Sequence, residues 1–207
     1  AMSSTNRGGE RIINDIYPTP AWCVWRLLEA LPLLTFQPNA AWLEPAVGDG
    51  AICRAVDAWR AKHAVDAVRW TTRDIRPVPA LAHAQHETGD FLAWSKAQLS
   101  HPPGDSWARP WDLCITNPPY SLAEAFVRAA LPLSINVAML FRLNFIGSEA
   151  RADFMRETKP SVFVLPNRPS FVNGKTDSCE YAWFVWGPER EQRIRVLAST
   201  PKSERCR

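Results

Sequence analysis

The sequence predicts a doubly wound α/β fold built on a mostly parallel sheet. Apolar, β-rich runs alternate with segments of helical spacing along most of the 207 residues, and that alternation favours parallel strands joined by crossover helices. The short motifs that stand out, "EPAVGDG", Asp74, "GDF" and "NPPY", each fall at a predicted strand end, where sheets of this kind bind ligands. The last two β-rich runs have no helix between them. They are expected to form an antiparallel hairpin at one edge of a seven-stranded sheet.

After a polar start, "YPTPAW" leads into an apolar-rich helix, "AWCVWRLLEAL", closed by Pro32. "AAWLEPA" (40–46) reads as a buried strand, and "VGDG" turns the chain into the helix "AICRAVDAWRAK". A second strand spans 67–75 and ends in an acid, Asp74. "HETGDFLAW" (86–94) carries a short strand or turn, then a helix starting at Asp90. A Pro- and Gly-containing loop covers 100–110. "WDLCITN" is the next strand, "SLAEAFVRAAL" a helix, and 135–143 an apolar strand. A helix over 147–157 is expected to be capped by Ser148, and strands follow over 161–166 and 180–186. The expected organisation is a flexible start (1–14), a single domain (15–186) and a charged tail (187–207), with no separate target-recognition segment.

Composition is that of an ordinary globular protein, 46% hydrophobic and 22% charged. The five cysteines form no C-x-x-C pair. This favours a reducing compartment and argues against a structural zinc site. The first residues lack a signal peptide's apolar core, and no apolar run is long enough to span a membrane, so a cytoplasmic location is expected. Net charge is only +3, but residues 141–207 hold 12 basic and 8 acidic residues. A basic excess there suits either a solvated face or contact with phosphates.

The turn "EPAVGDG" places Gly48 and Gly50 after a strand and before a helix, where glycines let a ligand approach the backbone. A tight turn alone would account for the pair. The turn lacks the third glycine of a dinucleotide fingerprint, however, and carries Glu44 and Asp49. Carboxylates there would repel a pyrophosphate and attract an amine. Asp74, at the end of the second strand, is placed to bind ribose hydroxyls, or simply to pair with Arg73 or Arg76. Asp90 could accept from an exocyclic amine, and Phe91 could offer a flat face to a purine or be plain core. Together these features describe a nucleoside with a cationic tail, S-adenosylmethionine.

"NPPY" supplies the complementary chemistry. An exocyclic amine on a heteroaromatic ring is a poor nucleophile because its lone pair is delocalised. The Asn117 side-chain oxygen and the Pro118 carbonyl can both accept from such an NH2, favouring its pyramidal form. Pro118 and Pro119 rigidify the backbone, and Tyr120 offers a π-face to a planar substrate.

With "YPTP" and "LEPAVGDG" upstream of "NPPY", the chain resembles the N6-adenine DNA methyltransferases, and within them the short phage- and prophage-encoded enzymes. The resemblance covers roughly residues 15–186. It implies a class I, Rossmann-like methyltransferase fold and S-adenosylmethionine as cofactor. It also implies that Tyr17, Thr19 and Pro20 line the methionine end, and that Glu44, Pro45, Ala46, Gly48 and Gly50 form the cofactor loop. Asp74 would take the ribose, and Asp90 with Phe91 the adenine ring. Asn117, Pro118, Pro119 and Tyr120 would be the catalytic motif. The segment 165–186 resembles the hairpin that supports a flipped target base. Phe171 is then the candidate second aromatic wall opposite Tyr120, and Arg142, Arg168 and Lys175 are candidate phosphate contacts. The expected partner is double-stranded DNA, read with low sequence specificity by a monomer or homodimer in a bacterial cell. Single-stranded DNA and RNA stay open as substrates. Rival readings are cytosine-N4 chemistry, where Ser usually replaces the Asn, a protein glutamine methyltransferase, and an inert nucleic-acid-binding module.

Overall fold

The computed structural model describes residues 18–78, 80–100, 110–171, 178–188 and 192–205. Tyr17, Lys175 and most of the expected 100–110 loop lie outside them. The elements run α1 (Ala21–Ala30), α2 (Pro32–Thr35), β1 (Ala41–Glu44), α3 (Ala51–Lys62), β2 (Arg69–Asp74), β3 (Ala84–Thr88) and α4 (Phe91–Ser100). They continue with β4 (Trp111–Thr116), α5 (Ala123–Ala130), β5 (Ser134–Arg142), α6 (Ala152–Thr158), β6 (Ser161–Leu165), β7 (Tyr181–Trp186) and β8 (Ile194–Val196). No helix among the described residues is long and apolar enough to cross a membrane.

The strands form one sheet in the order β3-β2-β1-β4-β5-β7-β6-β8. β7 runs antiparallel to both neighbours, and the other pairs are parallel. The doubly wound, mostly parallel fold is therefore as expected, with two differences. The sheet has eight strands, because the stretch read as a charged tail adds β8 beside β6. The hairpin also inserts β7 between β5 and β6 rather than leaving it at the rim. A short parallel pairing of Val162–Val164 with Ile194–Val196, followed by buried Leu197, gives the tail its anchor; three exposed residues leave no apolar strand pattern in the sequence. Ser148 makes no side-chain cap, and the turn after it is 3₁₀ before α6 begins.

Two core clusters line the sheet, and strand alternation sorts them. Trp42, Leu113, Ile115, Ala138, Leu140, Trp183 and Val185 join α1 and α3. The intervening Leu43, Cys114, Val137, Met139, Phe141 and Phe184 join α4, α5 and α6. Successive strand residues point to opposite faces, so both faces are covered and the strands are apolar throughout.

Trp183 secures α1 to the sheet. It is fully buried, and its indole N–H donates to the Cys23 carbonyl of α1 at 2.9 Å. Phe at this position would remove both ring volume and the hydrogen bond. Trp183→Phe should cost about 1–3 kcal/mol of stability in urea denaturation. A loss below about 0.5 kcal/mol would mean that α1 is held by other contacts.

Candidate functional site

Strand order reverses between β1 and β4. These strands are paired in parallel, Leu43 beside Cys114, so Glu44 ends β1 next to the end of β4. β2 lies on the far side of β1, with Glu44 level with Thr72, and β5 on the far side of β4, with Thr116 level with Met139. The carboxyl ends of four adjacent strands therefore deliver Asp74, Glu44, Asn117 and Arg142 to one edge of the sheet.

The loop after β1 is shaped by two left-handed glycines, Gly48 at φ 54° and Gly50 at φ 84°. A side chain at Gly50 would be strained by its left-handed φ and would also displace Leu81 Cδ2, which lies 2.5 Å from where a Cβ would sit. Asp74 holds the loop. Its Oδ2 accepts from the Gly48 N–H at 2.9 Å, and its Oδ1 accepts from the Arg76 backbone N–H at 3.0 Å and from Arg76 Nε at 3.2 Å. Of the two arginines the sequence offered Asp74, Arg73 instead pairs with Glu87 and covers the Trp94 ring at 4.7 Å. Asp49 is engaged locally, accepting from the Ala51 N–H at 3.0 Å and pairing with Arg54 at 3.0 Å. Pro45 is buried, Ala46 is partly buried and Pro20 partly exposed.

Glu44 is 1% exposed. Burial pushes its carboxyl up to about 8, because a charge is poorly solvated there. The negative charge of Asp74 adds to the rise, while the neighbouring Thr116 hydroxyl and Ala46 N–H oppose it. Ala46 N–H reaches Oε1 at 3.4 Å. Thr116 lies beside the carboxyl, yet neither its hydroxyl nor Glu44 Oε2 closes a full hydrogen bond. Burial thus outweighs the weak local donors, and Oε2 is a buried acceptor without a donor.

Asn117 follows β4 directly. Its Nδ2 donates to the Thr19 hydroxyl at 3.1 Å, and its Oδ1 takes no hydrogen bond among the described residues. The two prolines behave differently. The Pro119 carbonyl accepts from the Leu122 N–H at 2.9 Å, opening the short 3₁₀ turn before α5. Pro118 is buried, and its carbonyl accepts no hydrogen bond among the described residues. The motif therefore leaves two oxygens, Asn117 Oδ1 and Pro118 O, in consecutive residues.

Tyr120 is 37% exposed. The Arg142 guanidinium stands 5.3 Å over its ring and donates from Nε to the Tyr181 hydroxyl at 3.3 Å. Tyr181 is buried, with its ring centroid 6.1 Å from Tyr120 and 5.0 Å from Phe171. The two aromatic walls expected at Tyr120 and Phe171 thus meet through Tyr181, which the sequence reading passed over as a strand residue. Because β7 is antiparallel, its first residue, not its last, reaches this edge, level with Arg142.

Three candidates are engaged elsewhere. Phe91 is 2% exposed and packs on Phe126 at 5.1 Å, so its ring serves the core. Asp90 is exposed and caps α4 by accepting from the Ala93 N–H at 3.0 Å. Arg168 pairs with Glu180, Nε to Oε1 at 3.0 Å.

The sequence matches no protein-family model and no curated protein. The fold is that of class I methyltransferases. The methyltransferase subunit of a type I restriction-modification system from Streptococcus thermophilus superposes at TM-score 0.59 with 12% identity, over 86% of this chain and 46% of that one. A protein from Listeria monocytogenes named as a class I S-adenosylmethionine-dependent methyltransferase gives 0.58 and 13%, over 92% of this chain and 69% of that one. The 23S rRNA methyltransferase ErmE gives 0.51 and 17%, over 82% and 68%. The chain spans about half the length of the first of these. At such identities the likeness is one of fold.

The buried Glu44 carboxyl should be visible in the pH dependence of stability. Between about pH 4.5, where an exposed carboxyl ionises, and about pH 8, the folded chain keeps a proton that the unfolded chain releases. Stability should therefore fall as pH rises across this window, at up to about 1.4 kcal/mol per pH unit. Below the window both forms are protonated and the penalty vanishes. Glu44→Gln should remove this part of the slope in urea denaturation between pH 4.5 and 8.5. Parallel curves for variant and parent would show that Glu44 ionises normally in the folded protein.

Proposed function

We propose that this chain is an S-adenosylmethionine-dependent methyltransferase that modifies N6 of adenine in DNA, with the target base turned out of the duplex. The observation that carries the reading is the pair of oxygens, Asn117 Oδ1 and Pro118 O, that take no hydrogen bond among the described residues at the carboxyl end of β4 beside the acidic loop of Glu44 and Asp74. Two neighbouring acceptors without donors suit an NH2 group.

The cofactor loop fits a cationic nucleoside. Glu44 Oε2 is buried and has no donor among the described residues; an ammonium group would supply one and favour release of the proton that burial keeps on this carboxyl. Gly48 and Gly50 shape the turn through their left-handed φ, and the bare backbone at Gly48 would permit close approach. The carboxylates that favour an amine would oppose a pyrophosphate. Glu44 and the Gly48–Gly50 turn are the residues that would hold the methionine end, whereas the Thr19 hydroxyl is engaged by Asn117 Nδ2. Asp74 already uses both oxygens within the protein, so a ribose hydroxyl would share its remaining lone pairs. When bound, S-adenosylmethionine supplies an electrophilic methyl group on a sulfonium.

The chain's own residues act on the amine. Asn117 Oδ1 and Pro118 O accept its two hydrogens, which favours the pyramidal nitrogen whose lone pair is free to attack. No strong base is needed, because the alkylated amine is acidic and loses its surplus proton to water. Tyr120 offers a ring face where the Arg142 guanidinium now stacks, and a planar base suits the same surface. Tyr181 backs Tyr120, and Phe171 backs Tyr181. Affinity for DNA is taken to rest mainly on phosphate contacts, to which Arg142 can contribute.

Transfer of labelled methyl to duplex DNA, single-stranded DNA, RNA and protein in parallel, with nucleoside mass analysis, tests this directly. N6-methyladenine in DNA is expected. N4-methylcytosine, methylated glutamine or labelled RNA alone would each replace the reading. Asn117→Ala should lower turnover by about two orders of magnitude or more, with cofactor affinity nearly unchanged. Equal loss of cofactor binding would place Asn117 in the cofactor site instead.

Sequencing of methylated plasmid addresses specificity. Marks across many adenine contexts are expected at excess enzyme, whereas confinement to one motif of about four base pairs or more would refute relaxed reading.

A further inference from the structure

Thr19 is 4% exposed, stands between Pro18 and Pro20, and lies two residues before the start of α1. Its hydroxyl meets Asn117 Nδ2 at 3.1 Å across 98 residues of chain. Among the described residues this is the hydrogen bond that the Asn117 amide makes. We propose that Thr19 is a positioning residue for methyl transfer: its hydroxyl oxygen holds the amide NH2 so that Oδ1 stays turned toward the substrate amine. The inference rests on the function proposed above and deepens it.

The physical case begins with the amide itself. A primary amide is nearly symmetric in shape and opposite in polarity at its two ends. Rotation about the Cβ–Cγ bond exchanges an acceptor for a donor at little steric cost. A donor facing the substrate NH2 would repel its hydrogens and destroy the acceptor pair with Pro118. With Oδ1 engaged by a substrate, Nδ2 must find its own acceptor, because a partly buried NH2 left unpaired is costly. Thr19 Oγ1 is that acceptor. A hydroxyl can also donate, so the bond alone does not choose the orientation. The choice is made when the substrate claims Oδ1, and Thr19 makes that state the one with every polar atom paired.

The support behind Thr19 is stiff. Prolines on both sides restrict the backbone. The Cys23 N–H donates to the Pro20 carbonyl at 2.9 Å, starting α1, and Trp183 bonds the Cys23 carbonyl at 2.9 Å. The hydroxyl is thereby tied through α1 to β7, within the same sheet as β4. A buried threonine at the mouth of an apolar helix would serve packing equally well as valine, so the polar atom needs a partner to justify its place.

The experiment compares Thr19→Val, which keeps the shape, with Thr19→Ser, which keeps the hydroxyl. Turnover on adenine-containing DNA at saturating cofactor is measured with each. S-adenosylmethionine affinity is measured separately by calorimetry, without DNA. Thr19→Val should lower kcat about tenfold and leave cofactor affinity within about twofold, while Thr19→Ser should recover most of the rate. In an Asn117→Ala background, Thr19→Val should have no further effect, because the amide it serves is gone. Should Thr19→Val fold poorly, Thr19→Ala is read against Thr19→Ser in the same way. Wild-type kcat in Thr19→Val would overturn the inference. So would a cofactor affinity that falls in step with the rate, or full additivity with Asn117→Ala. An inactive wild-type chain would instead overturn the proposed function, and with it this inference, before any variant is compared.

Discussion

A sheet buried on both faces has only its edges left for chemistry. That constraint governs the rest of this molecule. Two apolar clusters use up alternate residues of the central strands, so a polar side chain with work to do must sit where a strand ends. Parallel pairing puts the ends of β2, β1, β4 and β5 on one rim, and the reversal of strand order between β1 and β4 opens a place there. Asp74, Glu44, Asn117 and Arg142 are neighbours for this reason, although the first and last are far apart in sequence.

Within the rim the two acids do different jobs. Asp74 is built into the protein: it secures the Gly48 N–H on one oxygen and Arg76 on the other. That leaves the loop after β1 fixed without a ligand. Glu44 is the reverse, a fully enclosed carboxyl with a weak contact to Ala46 and one oxygen unpaired. Nature rarely buries such a group without a partner, and the desolvation it suffers is the largest influence on its ionisation. Stability is sacrificed locally at this enclosed carboxyl.

The aromatic side of the rim depends on one antiparallel strand. β7 lies between β5 and β6 and faces the other way. Its N-terminal residue, Tyr181, therefore lies among the C-terminal ends of the parallel strands. There it contacts Tyr120, Phe171 and Arg142. The same geometry explains why Phe91 and Arg168 are less available than their motifs suggest. Phe91 begins a helix that packs its first ring inward on Phe126, and Arg168 has Glu180 within reach across the hairpin.

The sequence by itself determined the fold class, the position of six of the strands, a strand or turn where β3 lies, and the polar motifs at their ends. These follow from short-range features: apolar runs of strand length, helical spacing between them, and turns marked by Gly48, Gly50 and the Pro118–Pro119 pair. Tertiary structure decided which atoms of those motifs are spent and which are free. Pro119 O is taken by Leu122 while Pro118 O is not, and this depends on the backbone path after β4. The Thr19–Asn117 bond spans 98 residues, and Arg142 meets Tyr181 across 39. The eighth strand, three exposed residues of the tail, exists because β6 offers an unpaired edge. Such pairings depend on where distant segments arrive in space, and local spacing carries no record of that.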